Sequence, residues 1–394
     1  MRGALLGVLL VSACAFDGSI VASNSDDGGV GGGDGNAATA IDGSPVECLD
    51  WEARFYQPCS LPAPTSGTVL SGGDFVYDAD DNLLTGPGDD RALVRTVLTE
   101  LEPDVVVIYF DSLRIAEDSS LRIIGSQPLI VAARTTIAVD GTIDVSSSRG
   151  DLGVGANAGS CDAAISVGTA GNKSGGGGGG GGFGGDGGDG GSGDTAANGG
   201  SGGTKGGAVA VPINIRGGCP GMVGAVENET QTGSGGAGGP GGGALVLAAG
   251  TSLTIAGVVD AGGAGGGQGT PSDAGGGGGG SGGMIGLDSP SVIVSGTVAA
   301  NGGGGGEGAF NTGLGDPGED GRLGAARASG GALTGYAGAN GGAGGARDNP
   351  DADPGGSNEI EGGGGGGGGV GYIIFYKGLT IENATLSPLP TNLP

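Results

Sequence analysis

Glycine occupies 105 of 394 positions, and much of it lies in unbroken runs at Gly175–Gly182, Gly275–Gly280, Gly302–Gly306 and Gly362–Gly369. A residue without Cβ fills no core, and ordering a run of them costs more backbone entropy than ordering any other sequence. The core of such a chain must come from the segments between the runs. Two states of the runs are open at this level. They can be disordered loops thrown to one side of a folded body. They can also lie side by side as extended helices of three residues per turn, bare backbones close enough to hydrogen-bond. A strict Gly-X-Y period is absent, so a collagen triple helix is excluded.

The segments between the runs repeat. Leu129–Val145 aligns without a gap onto Leu245–Ala261. A third copy runs from Ile285 through Val298, one residue shorter, and a poorer fourth from Ile373 to Asn383. Val105–Phe110, Leu113–Ile115 and Leu121–Ile123 look like related strands upstream. Within a copy, Leu253 and Ile255 share one face, Thr254 and Ala256 the other, and Gly257 interrupts before Val259 resumes. This is the pattern of short β-strands separated by bends. A unit of two or three short strands cannot bury its apolar face alone, whereas stacked copies bury a continuous column. Stacking predicts that Leu129, Leu245, Ile285 and Ile373 share one interior column, and that Ile137, Leu253, Val292 and Leu379 share another. An antiparallel sandwich of hairpins is the competing architecture, but the units recur in the same order rather than as mirrored pairs.

These strand motifs resemble those of glycine-rich bacterial surface proteins built on parallel β-helices, over about residues 105–386. The resemblance implies an all-β fold, a parallel β-helix or β-solenoid with long glycine-rich loops.

At the N-terminus, Met1-Arg2-Gly3 precedes the apolar run Ala4–Val11 and then Ser12-Ala13-Cys14. A basic start, a short apolar stretch and small residues describe an export signal, and the run is too short to span a bilayer as a helix. Val11-Ser12-Ala13-Cys14 resembles the lipobox of bacterial lipoproteins. That resemblance implies a signal peptide at 1–13, acyl chains on Cys14 as membrane anchor, and, with Ala15 rather than Asp following, the outer membrane. Residues 14–46, rich in Gly, Asp and Ser, form the anchor and a flexible tether. A small cysteine-bracketed cap segment is expected at 47–104, and the solenoid at 105–394.

Beyond Cys14 four cysteines remain, and an even number in an exported chain suggests two disulfides with three possible connectivities. Cys48–Cys59 and Cys161–Cys219 are the favoured pairs, the second bracketing the longest glycine-rich stretch. No Cys-x-x-Cys spacing supports a zinc or redox site.

The formal net charge is −27, which argues against nucleic-acid phosphates as a partner. Histidine is absent, which removes Ser-His-Asp and Cys-His catalysis. Gly199–Gly203 and Gly279–Gly283 match the serine nucleophile elbow only because glycine is so common, and Gly171–Ser174 is a near miss of a phosphate loop. Gly181–Asp186 fits part of a calcium-binding nonapeptide, which makes Asp186, Asp189 and Asp194 candidate calcium ligands. Asp78–Asn82 has ligand spacing like an EF-hand, but a polar hairpin turn between Phe75–Tyr77 and Leu83-Leu84 accounts for it better. Asp144 and Asp260 occupy equivalent positions of the repeat. On neighbouring rungs they would stand about 5 Å apart, as in a retaining glycosidase. The expected function is a non-catalytic, lipid-anchored surface protein with a structural or adhesive role, partnered by surface polysaccharide or another envelope protein. The alternative is a polysaccharide-active enzyme using the outward aspartates.

Overall fold

The computed structural model describes residues 52–393 apart from 63, 65, 158–160, 162–163, 197, 228–233, 333–337 and 359. The expected leader, Cys14, the expected tether and Cys48 lie outside the described residues. The described residues belong to one compact unit.

The repeat copies fold into strand trios. Leu129–Ala133, Thr136–Val139 and Thr142–Asp144 form one trio. Ala244–Ala249, Ser252–Ile255 and Val258–Asp260 form the next, followed by Met284–Asp288, Val292–Val294 and Thr297–Ala299. Tyr372–Phe375, Leu379–Ile381 and Thr385–Ser387 complete the series, and Val105–Phe110, Leu113–Ile115 and Ser120–Ile124 precede it. First members pair with first, second with second and third with third, giving three mostly parallel sheets of seven, six and seven strands. The segment 47–104, expected as a cap, contributes strands to all three sheets. Thr68–Leu70 and Asp74–Asp78 pair parallel, while Leu83–Thr85 and Arg95–Leu98 pair antiparallel at that end. The link between Asp74–Asp78 and Leu83–Thr85 is the expected turn, with Asp78 Oδ1 accepting from the Asp80 and Asp81 N–H groups.

Register follows the gapless alignment. Leu245 pairs with Leu129 on one side and Ile285 on the other, and Ile285 pairs with Ile373. Leu253 stands likewise between Ile137 and Val292, and Val292 beside Leu379. Both expected columns are therefore present, and all of these residues except the half-buried Leu379 are at most 1% exposed. At about 25 cal/mol per Å² of apolar surface, each fully buried aliphatic contributes roughly 2 kcal/mol. In the second and third sheets many outer positions are polar and half-exposed, as at Ser252 and Thr254, although Ile293 and Val258 also stand there. The central strands of the first sheet are buried on both faces, and Tyr56 and Ile215 close over Val107, Ile130, Val246 and Ala248. Those strands are therefore almost wholly apolar instead of alternating, with Asp288 at the end of Met284–Asp288 as an exception. At the bend between the second and third sheets, Gly141, Gly257 and Gly296 form a column of their own. A Cβ at Gly257 would overlap the Gly141 carbonyl, and one at Gly296 the Gly257 carbonyl.

The glycine runs are ordered and buried. Successive residues of Gly175–Gly182 donate to three different neighbours, and the neighbour recurs every third residue. Gly176 and Gly179 donate to Thr169 and Ser166, Gly177 and Gly180 to Gly191 and Gly188, and Gly178 and Gly181 to Gly276 and Gly279. A partner that returns every three residues is the mark of a three-residue-per-turn extended helix. Three runs close a cycle: Gly178 N–H donates to Gly276 (2.9 Å), Gly279 to Gly366 (2.8 Å), and Gly366 back to Gly178 (3.0 Å). Gly302–Gly306 joins them antiparallel, Gly303 donating to Gly280 and Gly306 to Gly277. No Cβ fits in this packing; one at Gly278 would overlap the Gly179 carbonyl, and one at Gly365 that of Gly277. The disordered-loop alternative is thus replaced by a second hydrogen-bonded layer, stapled by the Cys161–Cys219 disulfide. Cys59 is also disulfide-bonded.

Gly278→Ala and Gly365→Ala are each expected to destabilise the protein by about 1–3 kcal/mol, because the backbones must separate. Gly150→Ala, where a Cβ meets open space, should stay within about 0.5 kcal/mol. Urea denaturation followed by circular dichroism distinguishes them, and equal effects at all three positions would contradict the packed layer.

Candidate functional site

Asp144 and Asp260 end adjacent third-sheet strands and pair directly, one strand spacing apart. Their side chains face a cleft of about 280 Å³ lined also by Ser120, Arg122, Thr142, Val258 and Leu323. Arg122 pairs with Asp144 on the preceding rung, and its Nη1 lies 3.0 Å from Asp144 Oδ1. Asp144 Oδ1 also accepts from Ser146 N–H at 2.8 Å and from its hydroxyl at 2.6 Å. Asp260 Oδ1 accepts from Gly262 N–H at 2.9 Å. Burial, and secondarily the neighbouring Asp144 carboxylate, push the Asp260 carboxyl up to about 7. A carboxyl that holds its proton near neutrality beside a carboxylate has the makings of an acid–base pair. Against sugar chemistry, no aromatic ring among the described residues lines the cleft, and the next strand carries Ala299. Arg122 went unrecognised in the sequence as a partner of this pair, although aligning Leu121-Arg122-Ile123 with Ile143-Asp144-Val145 puts it on the same outward position.

The three calcium candidates are not brought together as a cation site. Lys205 Nζ sits 2.6 Å from Asp186 Oδ2, Asp186 Oδ1 accepts from Ala208 N–H, and Asp189 Oδ1 accepts from Lys205 N–H. The lysine supplies the cation there and holds the Asp186 carboxyl below its ordinary range, with the Ala208 bond assisting. Asp194 lies elsewhere, buried, with Oδ1 capped by Ala196 N–H. Its carboxylate stands near Asp273, whose carboxyl is raised first by burial and then by Asp194. Among the described residues no group of three or more acidic or cysteine side chains is placed to hold a metal ion. Phe183, inside the calcium-like motif, is a core residue, stacked edge-on against Tyr372 with Arg216 over its ring.

The elbow-like Ser281 is also structural. It is fully buried, and its hydroxyl accepts from Cys219 N–H at 2.8 Å, tying two glycine-layer strands together. The near-miss phosphate loop is a tight reversal, Ala170 bridging antiparallel to Gly175.

No protein-family model, curated protein or solved structure matches the chain.

The raised Asp260 carboxyl fixes the sign of a pH effect. Between its ordinary value, 3.8, and about 7 the folded chain retains a proton that the unfolded chain has released. This contribution to stability is full below pH 3.8 and is lost as pH rises through 7. Asp260→Asn is expected to raise stability at pH 8 by on the order of 2 kcal/mol and to flatten the dependence between pH 4 and 8. Thermal melts of both proteins across this range check it.

Proposed function

We propose that the chain is a non-catalytic, lipid-anchored envelope protein: a parallel β-solenoid whose glycine runs form a stiff outer layer, carried on a flexible tether. The observation that supports it most is the closed hydrogen-bonding cycle among Gly175–Gly182, Gly275–Gly280 and Gly362–Gly369. It uses the insertions that could have built a mobile ligand-binding rim to make a rigid body instead. In this reading the Val11–Cys14 lipobox supplies acyl chains on Cys14, and residues 14–46 hold the body off the outer membrane. With a formal charge of −27, anionic lipid repels the body and the acyl chains must retain it. Among the described residues no helix is long and apolar enough to cross a membrane. The role would be structural or adhesive, toward a surface polysaccharide or another envelope protein.

A second reading, a polysaccharide-active enzyme, has one specific support: the proton-holding Asp260 beside Asp144 in a cleft. The two diverge on Asp144→Asn/Asp260→Asn. Envelope retention and any polysaccharide binding are expected to survive that double change, whereas hydrolysis of a polysaccharide that disappears with it would establish the second. Metabolic labelling with palmitate should mark the wild-type chain and be lost in Cys14→Ser; label that persists would refute the anchor.

A further inference from the structure

The two ends of the aliphatic columns differ. At the N-terminal end of the stack the second-sheet column closes on Leu70, which pairs with Ile115 and is 2% exposed. Phe75, Tyr77 and Leu84 in the same core are buried as well. At the other end the column of Ile115, Val139, Ile255 and Val294, each 0% exposed, finishes on Ile381, which is 50% exposed. Leu379 ends the neighbouring column half-buried, and the half-buried Phe375 packs against the same core. A solenoid core that stops at an aliphatic residue in water lacks the polar cap that such folds need for solubility.

The backbone is open at the same place. Leu379–Ile381 is the last strand of the second sheet. Glu382 N–H donates to Val294 and the Gly378 carbonyl accepts from Val292, so by alternation Thr380 also faces the Val292–Val294 strand. The N–H and C=O groups of Leu379 and Ile381 therefore point off the edge of the sheet. Such an edge is a template for another strand unless it is blunted. The third sheet is blunted: Thr385–Ser387 runs into Pro388, and Leu386, Ser387 and Pro388 are buried. The first sheet ends on the two-residue strand Thr391–Asn392, directly after Pro390. Thr380, Ile381, Glu382 and Asn383, by contrast, are all exposed and include no proline.

Charge selects the occupant. A chain with a formal charge of −27 repels a second copy over most of its surface. Residues 372–394, which form this last rung, carry only Lys377 and Glu382 as charged side chains, one of each sign. At the opposite end, residues 74–95 carry six aspartates and two arginines. Lys377 and Glu382 are exposed on either side of Thr380. Antiparallel pairing of the strand with itself about Thr380 sets Leu379 opposite Ile381 of the second copy, where each outward N–H and C=O finds its partner. It also brings Lys377 of each copy toward Glu382 of the other. Lys377 Nζ donates to the Glu52 carbonyl at 2.9 Å, and an ammonium has further donors for a carboxylate. The aliphatics of both copies fall on one face, so the two cores become continuous.

We propose that Leu379–Ile381 pairs antiparallel with the same strand of a second copy, giving a two-fold, end-to-end dimer that buries Ile381. A head-to-tail filament does not form, because the Leu70 end is closed and acidic and offers no matching surface.

Sedimentation velocity tests this on the full chain carrying Cys14→Ser, which excludes association through acyl chains. A monomer–dimer equilibrium with Kd on the order of 10 µM is expected, as for a small interface. Ile381→Asp should leave the thermal melt unchanged and weaken the dimer at least about tenfold, because a charge enters the paired core. Lys377→Glu or Glu382→Lys alone should weaken it severalfold, and the two together should restore it, since each residue meets the other across the axis. Thr380→Cys should close an intermolecular disulfide on mild oxidation, because the cysteine faces its own counterpart in an antiparallel pair. A chain still monomeric at about 200 µM, a dimer unaffected by Ile381→Asp, or species that grow beyond a dimer with concentration would overturn the proposal. If Ile381→Asp does not fold, the charge exchange decides, and a double change that fails to restore the dimer also overturns it.

Discussion

The rest of the structure depends on backbone hydrogen bonds between residues that have no side chains. In the glycine layer the runs present their N–H and C=O groups in three directions, and these are met by neighbouring backbone segments, several of them other glycine runs. A Cβ anywhere along most of this surface would occupy the place of a neighbouring carbonyl. The entropy cost of ordering glycine is large, and a single run could not meet it with bonds to water. Neighbours on several sides meet it, because every added run satisfies groups on those already present. The layer is therefore cooperative, and its stability rests on geometry that an alanine would spoil.

The strand column supplies that geometry. Each returning run ends one residue before a first-sheet strand, at Gly243, Gly283 and Gly371, and each of these glycines donates to the residue just beyond a third-sheet strand: Val145, Ala261 and Ala300. Register in the column and register in the glycine layer are consequently one quantity. A slip of one residue in Leu245–Ile285 pairing would turn the aliphatics outward, and it would also displace every third-residue bond in the runs. This double consequence explains how insertions of very different length, separating otherwise constant trios, can share one arrangement.

The column was legible in the sequence because its information is local and repeated. Leu129, Leu245, Ile285 and Ile373 stand at matching places in copies that recur in the same order, and alternation fixes which face they take. The state of the runs was not legible. Gly175–Gly182 has the same composition whether it floats or packs, and the decision lies with Gly276 and Gly363, far along the chain. The calcium-like motif misled for a similar reason. The cation that Asp186 meets is Lys205, a residue outside the motif. The neighbourhood of Asp144 and Asp260 was readable from alignment. Their inequality was not, since Arg122 engages one and burial acts on the other.

Parallel stacking poses a particular electrostatic problem for a chain with 42 acidic and 15 basic residues. In an in-register stack each side chain meets its own equivalent about 4.8 Å away, so a conserved outward acid would become a column of like charges. The fold avoids this by changing the residue from rung to rung. The ladder through Asp144 runs Val76, Arg122, Asp144, Asp260, Ala299 and Ser387. Arg122 on one side and the neutral Ala299 and Ser387 on the other therefore flank the two acids, and their like-charge contact adds to the burial that raises Asp260. Arg114 with Asp140 and Arg134 with Asp111 place further opposite charges across the stack. Each exposed pair is worth little by itself, but the pattern keeps repulsion from accumulating along the column. The scarce cations thus stand where the stack needs them, and most of the remaining negative charge is left to surfaces where solvent and salt screen it.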